Sequence, residues 1–185
     1  MKNNENIALY VLRLAGTLFL IAAVVAALLA GVNAVTAPVI AELNAAATQE
    51  AISAVLPGGF DSEITDYTDA SGIVSKVYQG ANGYALEVGP GGFDNTITMM
   101  VGVDNEGKVL GISIVNHTET AGLGAVADAD TPKGIAFREQ FIGTSGSVAV
   151  SKDGGTLDAI TGATITSRAI CVGVNAALDC VAGLG

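Results

Sequence analysis

Two segments of this sequence combine hydroxyl, carboxyl and glycine residues and are the best candidates to carry chemistry. One is Asn116–Gly124 (NHTETAGLG) and the other is Asp158–Thr164 (DAITGAT). In the second segment Gly162 and Ala163 leave room for a bulky group beside the Thr164 hydroxyl, and a predicted helix follows. Free backbone N–H groups at a helix start favour a phosphodiester. Because a Thr hydroxyl is a poor nucleophile by itself, attachment at Thr164 would need an activating enzyme.

The same residues also fit a purely structural role, and residue types alone do not separate the two interpretations. Thr161–Ser167 has the composition of a turn followed by a helix cap. Glu119 fits a solvated loop carboxylate. Lys152, six residues before Asp158, fits either a surface lysine or a cation that faces the bound group.

The sequence contains few signatures of other kinds of site, such as metal, nucleotide or hydrolase sites. His117 is the only histidine, so a multi-histidine metal site is excluded, and we interpret this residue as structural or exposed. The fragment Gly122-Leu-Gly124 follows a loop and is too short for a dinucleotide fingerprint, and no Walker or G-x-S-x-G motif occurs. We predict no metal ligand and no catalytic residue on this chain.

The two segments carry a resemblance to the FMN-binding domain family. Asp158–Thr164 resembles that family's flavinylation motif, Asp-x-x-(Ser/Thr)-Gly-Ala-Thr. Glu119–Gly124 resembles its Glu-Thr-Pro-Gly-Leu-Gly loop, with Ala121 where the family usually has Pro. Ala at this position removes no donor or acceptor, so we expect binding to be retained. The resemblance covers roughly residues 70–182.

Within that family the chain is most similar to the G component of the Rnf complex, a membrane ferredoxin:NAD+ oxidoreductase that pumps ions. The C component of the sodium-pumping NADH:quinone reductase is a relative. The resemblance implies a covalent FMN, whose phosphate a separate flavin transferase esterifies to Thr164 using FAD. It also implies that ferredoxin and NAD+ bind other subunits, so that this chain is an electron-transfer subunit without a complete active site.

The resemblance also implies roles for the surrounding residues. Leu123 would pack on the isoalloxazine face, Glu119 and Thr120 would hydrogen-bond ring or ribityl atoms, and Lys152 would face the flavin or its phosphate. Asp158 would either orient the attachment loop or be read by the transferase. The predicted FMN-binding residues are Thr164, Glu119, Thr120, Gly122, Leu123, Gly124, Lys152, Asp158, Thr161, Gly162, Ala163 and Thr166.

Two alternative functions remain open at this stage. The first alternative is a covalent-FMN subunit of a quinone-linked pump or of another extracytoplasmic reductase. A different class is a cofactor-free binding module anchored in the membrane. The latter predicts a colourless protein.

An apolar segment near the N-terminus must anchor this domain. Leu14–Val32 contains 19 residues without a charge, about 28 Å as a helix, which matches the hydrocarbon thickness of a bilayer. We predict a transmembrane helix over 13–33. A signal peptide cleaved after Ala34 is the alternative, although the apolar stretch is longer than such peptides usually have. Small residues such as Ala26, Ala30 and Gly31 suit packing against partner subunits, or a lone anchor in lipid.

Charge predicts the orientation and excludes one class of partner. Lys2 and Arg13 precede the span, so residues 1–12 are predicted to be cytoplasmic and the large domain extracytoplasmic, at the cell (inner) membrane. Beyond Val32 there are six basic and 17 acidic residues, a formal charge of −11, which disfavours nucleic acid. The predicted partners are membrane lipid, the flavin transferase and the other membrane subunits.

The remaining chain predicts an α+β fold, with an antiparallel sheet and packed helices. Residues 34–70 form a membrane-proximal helical connector, with a helix that starts at Thr36–Pro38 and stops near Pro57–Gly59. Residues 71–185 form the FMN-binding domain. Its predicted strands cover 73–78, 84–88, 96–103, 108–115 and 148–152, with a hairpin turn at 104–107. Its predicted helices cover 131–141 and a C-terminal stretch to 182, capped by Thr166 or Ser167.

The two cysteines fall in the predicted C-terminal helix. Cys171 and Cys180 are nine residues apart, about 13 Å along the helix axis and on opposite faces. A disulfide requires Cα atoms within about 7 Å, so they cannot pair within this helix. We interpret both as small buried hydrophobic residues.

Overall fold

The structure is a computed structural model that describes residues 2–184, with side chains from residue 9 onward. Contacts divide the chain into two compact units, residues 1–46 and 47–185. They are described separately below. The predicted limits at residues 33 and 70 remain predictions.

The first unit consists of one helix. Helix α1 (Lys2–Val55) is continuous, and only its end, from Ala47, belongs to the second unit. From Leu9 it is long and apolar enough to cross a membrane, with a mean hydropathy of 2.6 over an 18-residue stretch. The prediction that a new helix starts at Thr36 is wrong, because Pro38 lies inside α1. The Thr36 hydroxyl donates to the Val32 carbonyl one turn back instead of capping a helix.

The second unit contains a five-stranded antiparallel sheet. Its strands are β1 (Ser62–Ile64), β2 (Val74–Gly80), β3 (Gly83–Val88), β4 (Thr98–Asp104) and β5 (Val109–Asn116), and they pair in sequence order. Four of them confirm predicted strands, and the three-residue β1 was not predicted. Asp104 closes the predicted turn before β5, since its carboxylate accepts from the Glu106 and Lys108 amides at 2.8 Å.

Hydrophobic side chains cover both faces of the sheet. The larger core joins one face, including Leu86, Met99 and Val101, to the C-terminal helix. A smaller core places the end of α1, with Ile52 and Val55, against Tyr78 and Met100 on the other face. A Cβ at Gly102 of β4 would overlap the Val55 backbone, so this close approach requires glycine.

Two further helices flank the sheet. Helix α2 (Pro132–Glu139) begins after Thr131, whose hydroxyl accepts from the Gly134 amide at 3.3 Å, and α3 is Thr164–Leu184. Short 3-10 helices cover Gly124–Ala127 and Ser151–Asp153. The predicted strand at 148–152 is therefore wrong. Val150 makes only an isolated bridge to Leu157, because the chain turns into the 3-10 helix at once.

The two cysteines are free and buried in α3, as predicted. Burial raises the pKa of the Cys171 thiol to about 11, so this group stays protonated at neutral pH. The two thiols point from opposite faces of α3. Both still lie in the same hydrophobic core, because most of the circumference of this helix is buried.

Candidate functional site

A tight turn presents the start of helix α3. The Ala163 amide donates to the Ile160 carbonyl at 2.9 Å, and Gly162 has φ +81°. This is the conformation that a type II turn requires at its third residue, where glycine carries no steric cost. A Cβ at Gly162 would also lie 2.9 Å from Leu123 Cδ2. Gly162 is therefore required by the backbone and by the neighbouring loop together.

The prediction that Thr166 or Ser167 caps this helix is wrong, because α3 already begins at Thr164. The buried Ser167 hydroxyl instead braces the turn from inside the first helical turn. It accepts from the Ile160 amide and donates to the Ala163 carbonyl, both at 3.0 Å. The two ends of the turn are thereby tied to the helix that follows.

Thr164 occupies an electropositive position. As the first residue of α3 it has a half-buried side chain, and its hydroxyl oxygen accepts from Lys152 Nζ at 3.2 Å. The amides of Thr164, Ile165 and Thr166 have no acceptor among the described residues. Unpaired N–H groups and the helix dipole give this end a partial positive charge, to which Lys152 adds a full one.

An ion pair holds Lys152 in this position. The next residue, Asp153, accepts two hydrogen bonds from Arg168 of α3, both at 2.6 Å. Hydrogen bonds from Arg168 hold the pKa of Asp153 below its usual range, and Asp153 raises the pKa of Arg168. The 3-10 helix that carries Lys152 is thus fastened to α3 within two turns of Thr164.

Glu119 joins three segments around the same place. Its side chain is only 7% exposed. One carboxylate oxygen accepts from the Phe93 and Asp94 amides at 2.7 and 3.2 Å, and the other accepts from the Thr166 hydroxyl. These bonds connect the β3–β4 loop, the 119–124 loop and α3. They place Glu119 in the wall of the site, and its direct bond to a flavin remains a prediction.

These segments enclose a cavity of about 320 Å³ with Thr164 in its lining. Three large apolar side chains at the cavity, Phe93, Leu123 and Ile165, are 65%, 43% and 50% exposed. The predicted residues that line it are Glu119, Thr120, Leu123, Gly124, Lys152, Gly162, Ala163, Thr164 and Thr166. The cavity therefore combines a cationic end with an apolar rim.

The other three predicted residues line a second cavity, of about 590 Å³. Gly122, Asp158 and Thr161 lie there with residues of α2 such as Phe137, and with Gln140 just after it. The cavity with Thr164 is the better candidate although it is smaller, because it holds the hydroxyl and the cation. The Asp158 carboxylate is exposed and has no hydrogen-bond partner among the described residues.

His117 lies outside the lining of both cavities and bonds within its own loop. His117 Nδ1 accepts from the Glu119 amide at 3.1 Å, and Nε2 lies 3.8 Å from Asp128. Within residues 2–184 no group of three or more His, Cys, Asp or Glu side chains is arranged to hold a metal.

Several residues of the site were not found from the sequence. Phe93 lies 71 positions before Thr164 and joins the rim only through the sheet, and Ile165 has the pattern of an ordinary helix start. The pairing of Asp153 with Arg168 has no local signature, since the residues are 15 positions apart. The Gly91-Gly92 pair before Phe93 was the one available signal of a loop with special backbone geometry.

Comparison with known proteins agrees with this geometry. The FMN-binding domain family matches residues 92–179, and the family described as the RnfG N-terminal region matches residues 2–55. The fold and site thus define an FMN-binding domain that follows a long apolar helix. It follows that this chain binds FMN, associates with the membrane through α1 and is one component of a multisubunit complex.

Curated relatives narrow the class to one family. The G component of a Na(+)-translocating ferredoxin:NAD(+) oxidoreductase complex from Acetobacterium woodii is 34% identical over 91% of this chain and 90% of its own length. The G components of ion-translocating oxidoreductase complexes from Methanosarcina acetivorans and Pseudomonas aeruginosa are 32% and 34% identical, over 89% and 90% of this chain and 91% and 86% of their own lengths. The chain belongs to the RnfG family, the G components of Rnf complexes.

The residues present fit FMN. The unpaired amides at the start of α3 and Lys152 suit its phosphate, and the exposed apolar side chains at the rim suit its ring. Thr164 lies where these two environments meet.

Proposed function

We propose that this chain carries FMN as a phosphoester on Thr164 and relays electrons within a membrane ferredoxin:NAD+ oxidoreductase of the Rnf type. The observation that carries the proposal is the Thr164 hydroxyl itself. It sits at the N-terminus of α3, 3.2 Å from a lysine ammonium, in the wall of a cavity with an apolar rim. The relative from Acetobacterium woodii and the flavinylation motif both support this assignment.

Attachment would be a transfer from FAD by a flavin transferase. A base of the transferase takes the proton from the Thr164 hydroxyl, whose oxygen forms a bond to the phosphorus of the FMN half. The phosphoanhydride bond of FAD breaks and AMP leaves. No oxidant or reductant is consumed. Lys152 donates to the hydroxyl oxygen and would stabilise the negative charge that develops there.

After attachment the same groups would hold the product. Lys152 and the amides of Thr164, Ile165 and Thr166 neutralise the phosphodiester charge. Phe93, Leu123 and Ile165 exclude water from the apolar part of the site. When bound, FMN supplies electron transfer, and the protein contributes its position and electrostatic surroundings. A covalent tether prevents dilution of the cofactor outside the membrane.

The proposed topology follows from the charges around α1. Residues 1–12 lie in the cytoplasm, 13–33 cross the membrane, 34–70 connect, and 71–185 form the extracytoplasmic FMN-binding domain. Ferredoxin and NAD+ would bind other subunits, and ion translocation would belong to the assembled complex.

The proposal is tested by the mass of the full chain purified from cells that contain the flavin transferase. We expect an added FMN phosphoester on the peptide with Thr164, and a flavin-free, colourless protein for Thr164→Val. Thr156→Val is the control, since this exposed threonine lies outside both cavities. An unmodified Thr164 in the wild-type chain would refute the proposal and favour a cofactor-free binding module.

A further inference from the structure

A side-chain amide holds the first residue of the attachment segment, Asp158–Thr164. Gln140 directly follows α2, and its Oε1 accepts from the Asp158 amide at 2.7 Å. Its Nε2 donates to the Asp158 carbonyl at 3.3 Å. One side chain therefore satisfies both backbone groups of the same residue, as a neighbouring strand would.

This contact separates two roles that the sequence left open for Asp158. The backbone of Asp158 is bonded to Gln140, whereas its carboxylate is exposed and bonds to no described residue. The bonds to Gln140 thus orient this part of the segment without the Asp158 carboxylate. The carboxylate is left accessible to another protein.

The attachment segment is held at two points. Gln140 fixes Asp158 at its start, and Ser167 fixes Ile160 and Ala163 near its end. Thr161 and Gly162, which lie between Ile160 and Ala163, are exposed, and no side-chain hydrogen bond among the described residues reaches them. Without Gln140 the segment would still be fastened by Ser167 and by the backbone bonds of Leu157 just before it, but no bond to Asp158 itself would remain.

We propose that Gln140 is a positioning residue for flavin attachment, which holds Asp158 so that the transferase meets its carboxylate and the Thr164 hydroxyl in one fixed arrangement. The inference rests on the function proposed above. It concerns recognition by the transferase, because Gln140 does not line the cavity that contains Thr164.

The chain contains a matched control for this contact. Asn175 of α3 makes the same two-way amide pairing with Val148, accepting from its amide at 2.7 Å and donating to its carbonyl at 2.8 Å. It lies outside the attachment segment. Asn175→Leu therefore removes an equivalent pair of hydrogen bonds. Its effect on attachment measures what the loss of such a pair costs through stability alone.

The experiment measures attachment in vitro with the full chain in detergent, produced without the transferase. Purified transferase and FAD are added, and covalent flavin is followed by in-gel fluorescence and intact mass at varied chain concentration. For Gln140→Leu we expect kcat/KM to fall on the order of tenfold, mainly through a higher KM for the chain, since the transferase would have to order the loosened segment when it binds. For Asn175→Leu we expect a much smaller fall in kcat/KM, although its melting temperature falls by a similar amount.

Each outcome decides the inference. A loss in Gln140→Leu that does not exceed the loss in Asn175→Leu, or that appears in kcat alone, would overturn it. If Gln140→Leu does not fold, Gln140→Glu takes its place, since it keeps the acceptor for the Asp158 amide and removes the donor to its carbonyl. Failure of the wild-type chain to acquire flavin at Thr164 would refute the proposed function itself, and the inference with it.

Discussion

At the scale of single residues, several side chains of the site form hydrogen bonds to the backbone of neighbouring segments. Glu119 accepts from Phe93, Asp94 and Thr166, and Ser167 binds both ends of the turn before Thr164. The Thr164 hydroxyl and the Lys152 ammonium, by contrast, bond to no backbone group among the described residues and only to each other. The residues that react and the residues that hold are therefore different, although both lie in the same short motifs.

Replacing Glu119 tests its structural role directly. Glu119→Ala leaves buried donors without an acceptor, so we expect a loss of about 2–3 kcal/mol in the free energy of unfolding. This corresponds to a melting temperature lower by very roughly 4–12 °C. A thiol-reactive dye measures it on the full chain, because Cys171 and Cys180 are its only cysteines and both are buried.

Glu106→Gln is the control for Glu119, since this exposed carboxylate pairs only with Lys108 at the surface. We expect it to change the melting temperature hardly at all. Equal melting temperatures for Glu119→Ala and the wild-type chain would show that the three segments do not depend on this carboxylate.

At the scale of elements, the site depends on how three short pieces meet the first turns of α3. The 3-10 helix Ser151–Asp153, the loop at 119–124 and the turn at 160–163 each bond to this helix end through a side chain. Single turns of helix and short loops are marginal by themselves, so these contacts decide their positions.

The ion pair between Asp153 and Arg168 supplies the element-scale prediction. Arg168→Met releases the 3-10 helix that carries Lys152, so we expect the rate of flavin attachment to fall by about three- to tenfold, as positioning is lost. The rate is measured with transferase and FAD as above. Lys108→Met removes a surface ion pair remote from the site and should leave the rate unchanged.

The same pair should respond to pH. Because Arg168 lowers the folded-state pKa of Asp153, the contact is present above the usual Asp range and weakens as the pH falls through the lowered value. If the wild-type chain and Arg168→Met acquire flavin at the same rate at neutral pH, this ion pair does not position Lys152 for attachment.

At the scale of the whole molecule, the chain combines an apolar helix with an acidic α+β unit. The unit from residue 47 onward contains both hydrophobic cores and the complete candidate site. From Leu9 onward the helix before it has exposed apolar side chains, which in water would be costly and in lipid would not. Membrane association thus needs no residue of the site.

The proposed orientation makes a prediction for intact cells. A membrane-impermeant maleimide added from outside the inner membrane should label Ser145→Cys, an exposed position in the second unit. It should label Asn4→Cys only after the membrane is broken. The native cysteines are buried and contribute little background. Labelling of Asn4→Cys alone in intact cells would reverse the proposed topology.

Features that depend on local pattern were predictable from the amino-acid sequence. Hydrophobic runs predicted that most of α1 is helical, although as two helices, and predicted four strands, α2 and α3, since burial follows the period of the backbone. The flavinylation motif singled out Thr164 and Gly162, and both line the same cavity. The end of α1 near Pro57 and the turn at Asp104–Gly107 were likewise correct, because turn residues act through their own backbone.

Only the tertiary structure decided the features that join distant parts of the chain. Glu119 meets Thr166 across 47 positions, Gln140 meets Asp158 across 18, and Phe93 reaches the rim of the cavity through the sheet. The errors at Thr36, at 148–152 and at the cap of α3 have the same origin. In each case a local preference was outweighed by helix continuation or by a contact made elsewhere, and such contacts leave no periodic signal in the sequence.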